Sequence, residues 1–137
     1  MNPKIDQLLN NGRGVLRMVP TFVPRRNGAP GRRLRLHPDD YYALGMQRGA
    51  MKERWFTATI PANNGPLAPD NEGLSYVAVD DQAKERVLFR EVVSEGKEAV
   101  VGKALMDEHG GWPMYSKFFD YNDALFHHLH LSFADAA

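Results

Sequence analysis

The chain has 137 residues, with 17 Lys and Arg balanced by 17 Asp and Glu, 43% apolar residues and no cysteine. That size suits one domain or a piece of a larger one. The lack of cysteine excludes a disulfide framework and thiolate metal sites. "MNPKIDQLLNNGRG" has no apolar leader core and no run nears the ~18 apolar residues of a membrane helix, so a cytoplasmic setting and no membrane partner are expected.

Residues 3 to 11 predict a short helix, with Pro3 tolerated in its first turn. "VLRMVPTFVP" (15 to 24) is extended but interrupted by two prolines, which confines it to edge strand. "RRNGAPGRRLR" (25 to 35) reads as loop. It contributes to a net +7 over residues 1 to 54, against −7 over 55 to 137. The segment is either solvated and packed near the acidic half, or attracts an anion. No aromatic residue interleaves with its arginines and Gly and Pro break it, so no nucleic-acid partner is expected. "LHPDDYYALGMQRG" (36 to 49) reads as a helix opened by Pro38, Asp39 and Asp40 and stopped by Gly49.

"RWFTATI" (54 to 60) alternates as a strand, and the Pro- and Gly-rich residues 61 to 73 form a long loop suited to a rim or lid. "LSYVAV" (74 to 79) is a second strand. Residues 83 to 109 carry apolar residues at helical spacing and read mainly as helix, broken near Gly96. "HGGWP" is a stop, "MYSKFF" (114 to 119) a strand, "DYND" a turn and "LFHHLHL" (125 to 131) another strand. A terminal hairpin of this kind has open edges. It is expected to be completed by the remainder of the same polypeptide or by a second chain.

Three of the five histidines fall in that last segment. On a strand, residues two apart share a face, so His128 and His130 point one way and His127 the other. Paired imidazoles on one face suit Zn, Fe, Mn or Ni. H-x-H alone fits a ligand pair and ordinary packing equally well. His127, His37 and His109 read as packing, capping or surface residues.

The stretch "WPMYSKFFDYNDALFHHLHL" (112 to 131) resembles the metal-binding segment of type I phosphomannose isomerases, members of the cupin superfamily. In that family an aromatic-Pro-Leu-x-x-Lys-aliphatic-aliphatic-Asp-Ala pattern precedes Leu-Ser-x-Gln-x-His-Pro, whose Gln and His bind zinc. His128 stands at the Gln position, His130 at the His position, Lys117 at the active-site lysine and Asp120 at the aspartate. "ERWFTA" (53 to 58) is similar to the family's "E-S-W-E" strand, and residues 74 to 105 fill the place of its next strand and helical insertion. The resemblance covers about residues 53 to 131 and is strongest in the last twenty.

Two departures stand out. His128 replaces an amide by an imidazole, and Leu131 replaces the proline. The family's glutamate ligand and last histidine fall beyond residue 137. The resemblance therefore implies a mixed α+β fold, the N-terminal portion of a cupin-type sandwich or jelly roll, with residues 1 to 137 as one incomplete domain and 83 to 109 as a helical insertion. It implies metal ligands at His128 and His130, a divalent metal, zinc foremost, and Lys117 as a catalytic cation. The implied reaction is aldose–ketose isomerisation of a sugar phosphate, mannose 6-phosphate to fructose 6-phosphate. The alternative is a metal-binding cupin that acts as a sugar-binding or regulatory module without isomerase activity. Trp55 is either core or a sugar platform.

Overall fold

The computed structural model describes residues 2 to 129. Within them the chain is mixed α/β, with two small antiparallel sheets and several helices. No helix among the described residues is long and apolar enough to cross a membrane.

Helix α1 (Pro3–Asn11) starts as its sequence predicts. The Asn2 side chain accepts from the Lys4 N–H at 3.0 Å, and Pro3 needs no partner for an N–H it lacks. Strands β1 (Met18–Val19) and β2 (Thr21–Arg25) follow, separated by Pro20. Both are sheet edges, as their prolines require. Pro24 sits at a register shift, where a missing N–H removes no ladder bond.

Strand β3 (Ala50–Phe56) begins and ends four residues earlier than the alternation suggests. Strand β4 (Tyr76–Ala78) pairs with β1 and with β5 (Arg86–Leu88), and β6 (Ser116–Phe119) pairs with β3. The sheet orders are β1-β4-β5 and β2-β3-β6. Ser75 ties the two sheets. Its N–H donates to the Ala58 carbonyl at 3.0 Å, its Oγ accepts from Ala58 N–H at 3.0 Å, and its carbonyl accepts from Phe89 N–H at 2.9 Å.

Each sheet carries its own core. Ile5 of α1 packs with Val77, Val87 and Phe89. It also packs with Val92 and Val93 of α2 (Phe89–Gly96) and Val101 of α3 (Glu98–Val101). Helix α4 (Lys103–His109) adds Leu105 and Met106 at the margin. Around the second sheet, Val23, Trp55, Ala58 and Ala62 are buried together, and Tyr115 packs on them.

Three elements depart from the sequence reading. Residues 36 to 49 form two short 3₁₀ turns, Pro38–Asp40 and Met46–Arg48, and no α-helix. Gly45 and Gly49 have positive φ, and Leu44 and Met46 stay exposed, so no apolar face docks to hold a helix. Residues 86 to 88 are strand, because the Asp80 carboxylate accepts from the N–H groups of Gln82, Lys84 and Glu85 and turns the chain back onto β4. The helical segment after it breaks at Lys97 and again at Gly102, both with positive φ. Finally, residues 125 to 129 form no strand; the rest of the expected strand, His130 and Leu131, lies outside the described residues.

Asp120, just past β6, holds the basic loop onto the sheet. Its Oδ2 accepts from Leu34 N–H at 2.7 Å, its carbonyl accepts from Gly31 N–H at 2.8 Å, and its own N–H donates to the Lys52 carbonyl at 2.7 Å. The residue is buried, with Oδ1 lacking a hydrogen-bond partner. Asp120→Ala is expected to lower the unfolding free energy by about 1–3 kcal/mol through the orphaned Leu34 donor. Urea unfolding would measure it, and an unchanged midpoint would contradict this role.

Candidate functional site

The antiparallel register of the second sheet decides which side chains meet. Glu53 lies opposite Phe119 and Trp55 opposite Lys117, so these four share one face. Arg54, opposite Phe118, occupies the other. There its guanidinium covers the rings of Phe22 and Phe56, and Phe118 stands 63% exposed.

On the first face Glu53 is the hub. Its carboxylate accepts from Arg25 Nε at 3.0 Å and Nη2 at 3.2 Å, from Trp55 Nε1 at 2.7 Å and from the Tyr121 hydroxyl at 3.0 Å. The Lys117 ammonium stands 3.8 Å away. Burial alone would raise the Glu53 pKa. The donors Arg25 and Trp55 and the charges of Arg25 and Lys117 outweigh it and hold the carboxyl below its ordinary range. Tyr121 is pushed the opposite way, by burial and by the adjacent Glu53 charge, and keeps its proton.

Lys117 is caged by rings. Its Nζ lies 4.8 Å from the Phe119 centroid, 5.1 Å from Trp55 and 5.7 Å from Tyr115. Trp55 and Tyr115 stack at 4.9 Å. Trp55 is only 3% exposed, so among its two readings it is core, and its polar edge anchors Glu53.

Arg25, Glu53, Lys117, Phe119 and Tyr121 line a cleft of about 300 Å³ that also receives His128, with Leu125 and Phe126 as apolar wall. No family model, curated protein or solved structure matches the chain.

His128 and Lys117, both picked out in the sequence, thus reach one cleft. His128 Nδ1 lies 2.7 Å from the Phe126 carbonyl oxygen. A carbonyl only accepts, so Nδ1 carries the proton there. His130 lies outside the described residues. Among the described residues no group of three His, Asp or Glu could hold a metal ion. Glu53 supplies no ligand because its oxygens are already taken by four donors. The described residues thus fit a metal with one imidazole.

The other described histidines lie elsewhere. His127 is exposed, His37 accepts from Asp39 N–H at the start of a 3₁₀ turn, and His109 ends α4 beside Glu108. Asp120 supports the loop beneath and does not line the cleft.

The sequence reading missed the polar chain that runs on from Glu53. Arg25 also donates to Asn64, Asn64 donates to Glu72 and to the Pro24 carbonyl, and Glu72 pairs with Arg48. The i, i+2 spacing of Glu53 and Trp55 on a strand was a usable signal for that pair. Nothing local pointed to Arg25, 28 residues away.

Proposed function

We propose that this chain is the N-terminal part of a metal-dependent sugar-phosphate aldose–ketose isomerase, similar to the phosphomannose isomerases. The observation that carries the reading is the meeting of Lys117 and His128 in one cleft on an antiparallel sheet, beside a buried carboxylate. In this reading the two sheets are part of a cupin-type sandwich, and residues 89 to 109 lie in its helical insertion. His128 and His130 would hold a divalent metal, zinc foremost. When bound, the metal would polarise the carbonyl and hydroxyl oxygens of an open-chain sugar.

The chain's own residues contribute position and charge. Lys117, held by its ring cage and by Glu53, presents a cation to an oxygen that gains negative charge. Glu53 keeps Lys117, Arg25 and Tyr121 aligned, and its low pKa and four donors make it a poor base. The base that moves a proton between C1 and C2, and the remaining ligands, would come from the rest of the same polypeptide or a second chain.

The imidazole of His128 where the family has an amide motivates the second reading, a metal-binding cupin that binds sugar or regulates without isomerising. The test is a coupled isomerase assay with zinc added back. Residues 1 to 137 alone are expected to be inactive and to hold zinc weakly, and the completed protein to turn over in a chelator-sensitive way. Lys117→Ala should lower turnover more than zinc content. His128→Ala with His130→Ala should remove zinc by elemental analysis. Unchanged zinc in that double variant would sink the ligand assignment. A zinc-loaded complete protein inactive on a panel of aldose and ketose phosphates would favour the binding module.

A further inference from the structure

The strongest unused feature is the basic groove at one end of the β2–β3 pair. Arg25 pairs with Ala50 at the end of the ladder, so Arg26 leaves β2 where Arg48 and Gly49 enter β3. The loop over residues 61 to 73 comes down beside them, fastened by Asn64 to the Pro24 carbonyl. The result is a groove of about 340 Å³ lined by Arg25, Arg26, Arg48, Asn27, Asn63 and Asn64. Among the described residues, no carboxylate and no aromatic ring lines it. It adjoins the Lys117 cleft, with Arg25 and Asn27 common to both.

Two of its three guanidiniums are fixed from behind. Glu53 holds Arg25 through two oxygens, and Glu72, buried, pairs with Arg48. Of the five N–H donors of a guanidinium, Arg25 uses three on Glu53 and Asn64, which leaves two. Arg26 is exposed and makes no ion pair among the described residues. The backbone that carries it is fastened as well, since the buried Lys52 ammonium donates to the carbonyls of Arg25 and Asn27 at 2.7 and 2.6 Å. The sequence adds a long-range bias: no Asp or Glu occurs from residue 7 to residue 38.

We propose that this groove is a binding site for the phosphoryl group of a small molecule. Prepositioned guanidiniums match the oxygens of a tetrahedral oxyanion, and the Asn27 and Asn63 amides can donate to the remaining ones, whereas both Asn64 N–H groups are spent on Glu72 and the Pro24 carbonyl. The groove's own described lining offers no ring on which a base could stack, which favours a phosphate ester over a nucleic-acid strand. The site lies outside the segment that carries the family resemblance for all but Asn63 and Asn64, and it does not depend on the isomerase reading.

The experiment is calorimetric titration of the full chain, without metal and at fixed ionic strength. The probes are inorganic phosphate, a hexose monophosphate, the unphosphorylated hexose and a short single-stranded oligonucleotide. Phosphate and the hexose monophosphate are expected to compete for one site, with the hexose unable to displace phosphate. Arg26→Ala should weaken phosphate binding about tenfold, the worth of one charge-assisted hydrogen bond. Asn63→Asp should weaken it further. Both positions are exposed, so circular dichroism and thermal midpoint should match the parent. Phosphate binding that survives both substitutions, or no phosphate binding at all, would overturn the proposal. So would displacement of phosphate by the plain hexose, or an oligonucleotide that binds more tightly than the hexose monophosphate with a steep salt dependence. None of these arms needs turnover or metal, so the isomerase reading stands or falls separately.

Discussion

Gly49→Ala is expected to lower the unfolding free energy by about 3 kcal/mol or more, a large loss for the addition of one methyl group. Gly49 has φ near 79°, where an L side chain is strained. A Cβ there would also stand 2.1 Å from the Arg25 carbonyl oxygen and 2.7 Å from Arg26 Cα, both backbone atoms that cannot swing aside. Strain and clash add, because relieving one by rotating φ would break the entry of β3 against β2. The control is Gly45→Ala. Gly45 also has positive φ, but an added Cβ meets nothing within 4 Å, so only the conformational cost of about 1 kcal/mol remains. Urea denaturation of the two variants would separate them. Equal losses would show that the approach of Gly49 to Arg25 does not constrain the fold.

Glu53→Ala is expected to cost about 3–5 kcal/mol, since it leaves the partly buried Arg25 cation without its bidentate partner and strands the donors of Trp55 and Tyr121. Against a total stability of roughly 5–15 kcal/mol for a domain this is a large share. The same carboxylate gives a pH dependence. Its folded pKa lies below the ordinary 4.5, so the folded state holds its proton less tightly than the unfolded chain. The stabilisation is therefore complete above about 4.5 and is lost as pH falls through the depressed folded value. Stability measured from pH 7 down to pH 3 should fall below pH 4.5 in the parent, and the contribution of this group should vanish in Glu53→Gln. A parent and a Glu53→Gln variant with parallel pH profiles would contradict that.

How much of this was legible in the sequence depends on the range over which each signal acts. Helix α1 and the two proline-marked edge strands follow from local rules, and both are where the sequence puts them. The segment 36 to 49 misled because Pro-Asp-Asp is a helix start, whereas the outcome was set by the lack of a surface to bury Leu44 and Met46. Residues 86 to 88 misled because a single side chain, Asp80, turns the chain and makes a pairing with β4 that periodicity does not encode. At the site, Lys117 and His128 were marked by the family resemblance, and the structure brings them to one cleft. The groups that organise that cleft come from residues 25, 53 and 121, and only strand register brings them together.

The hub at Glu53 also bears on how this sequence could change over generations. Arg25, Trp55, Lys117 and Tyr121 all answer to one carboxylate, so the worth of each depends on the others being present. A lineage that replaced any one of them would change the penalty for replacing the rest. Drift at these five positions is thus tied together. Exposed sites such as Met46 and Leu129 can vary one at a time.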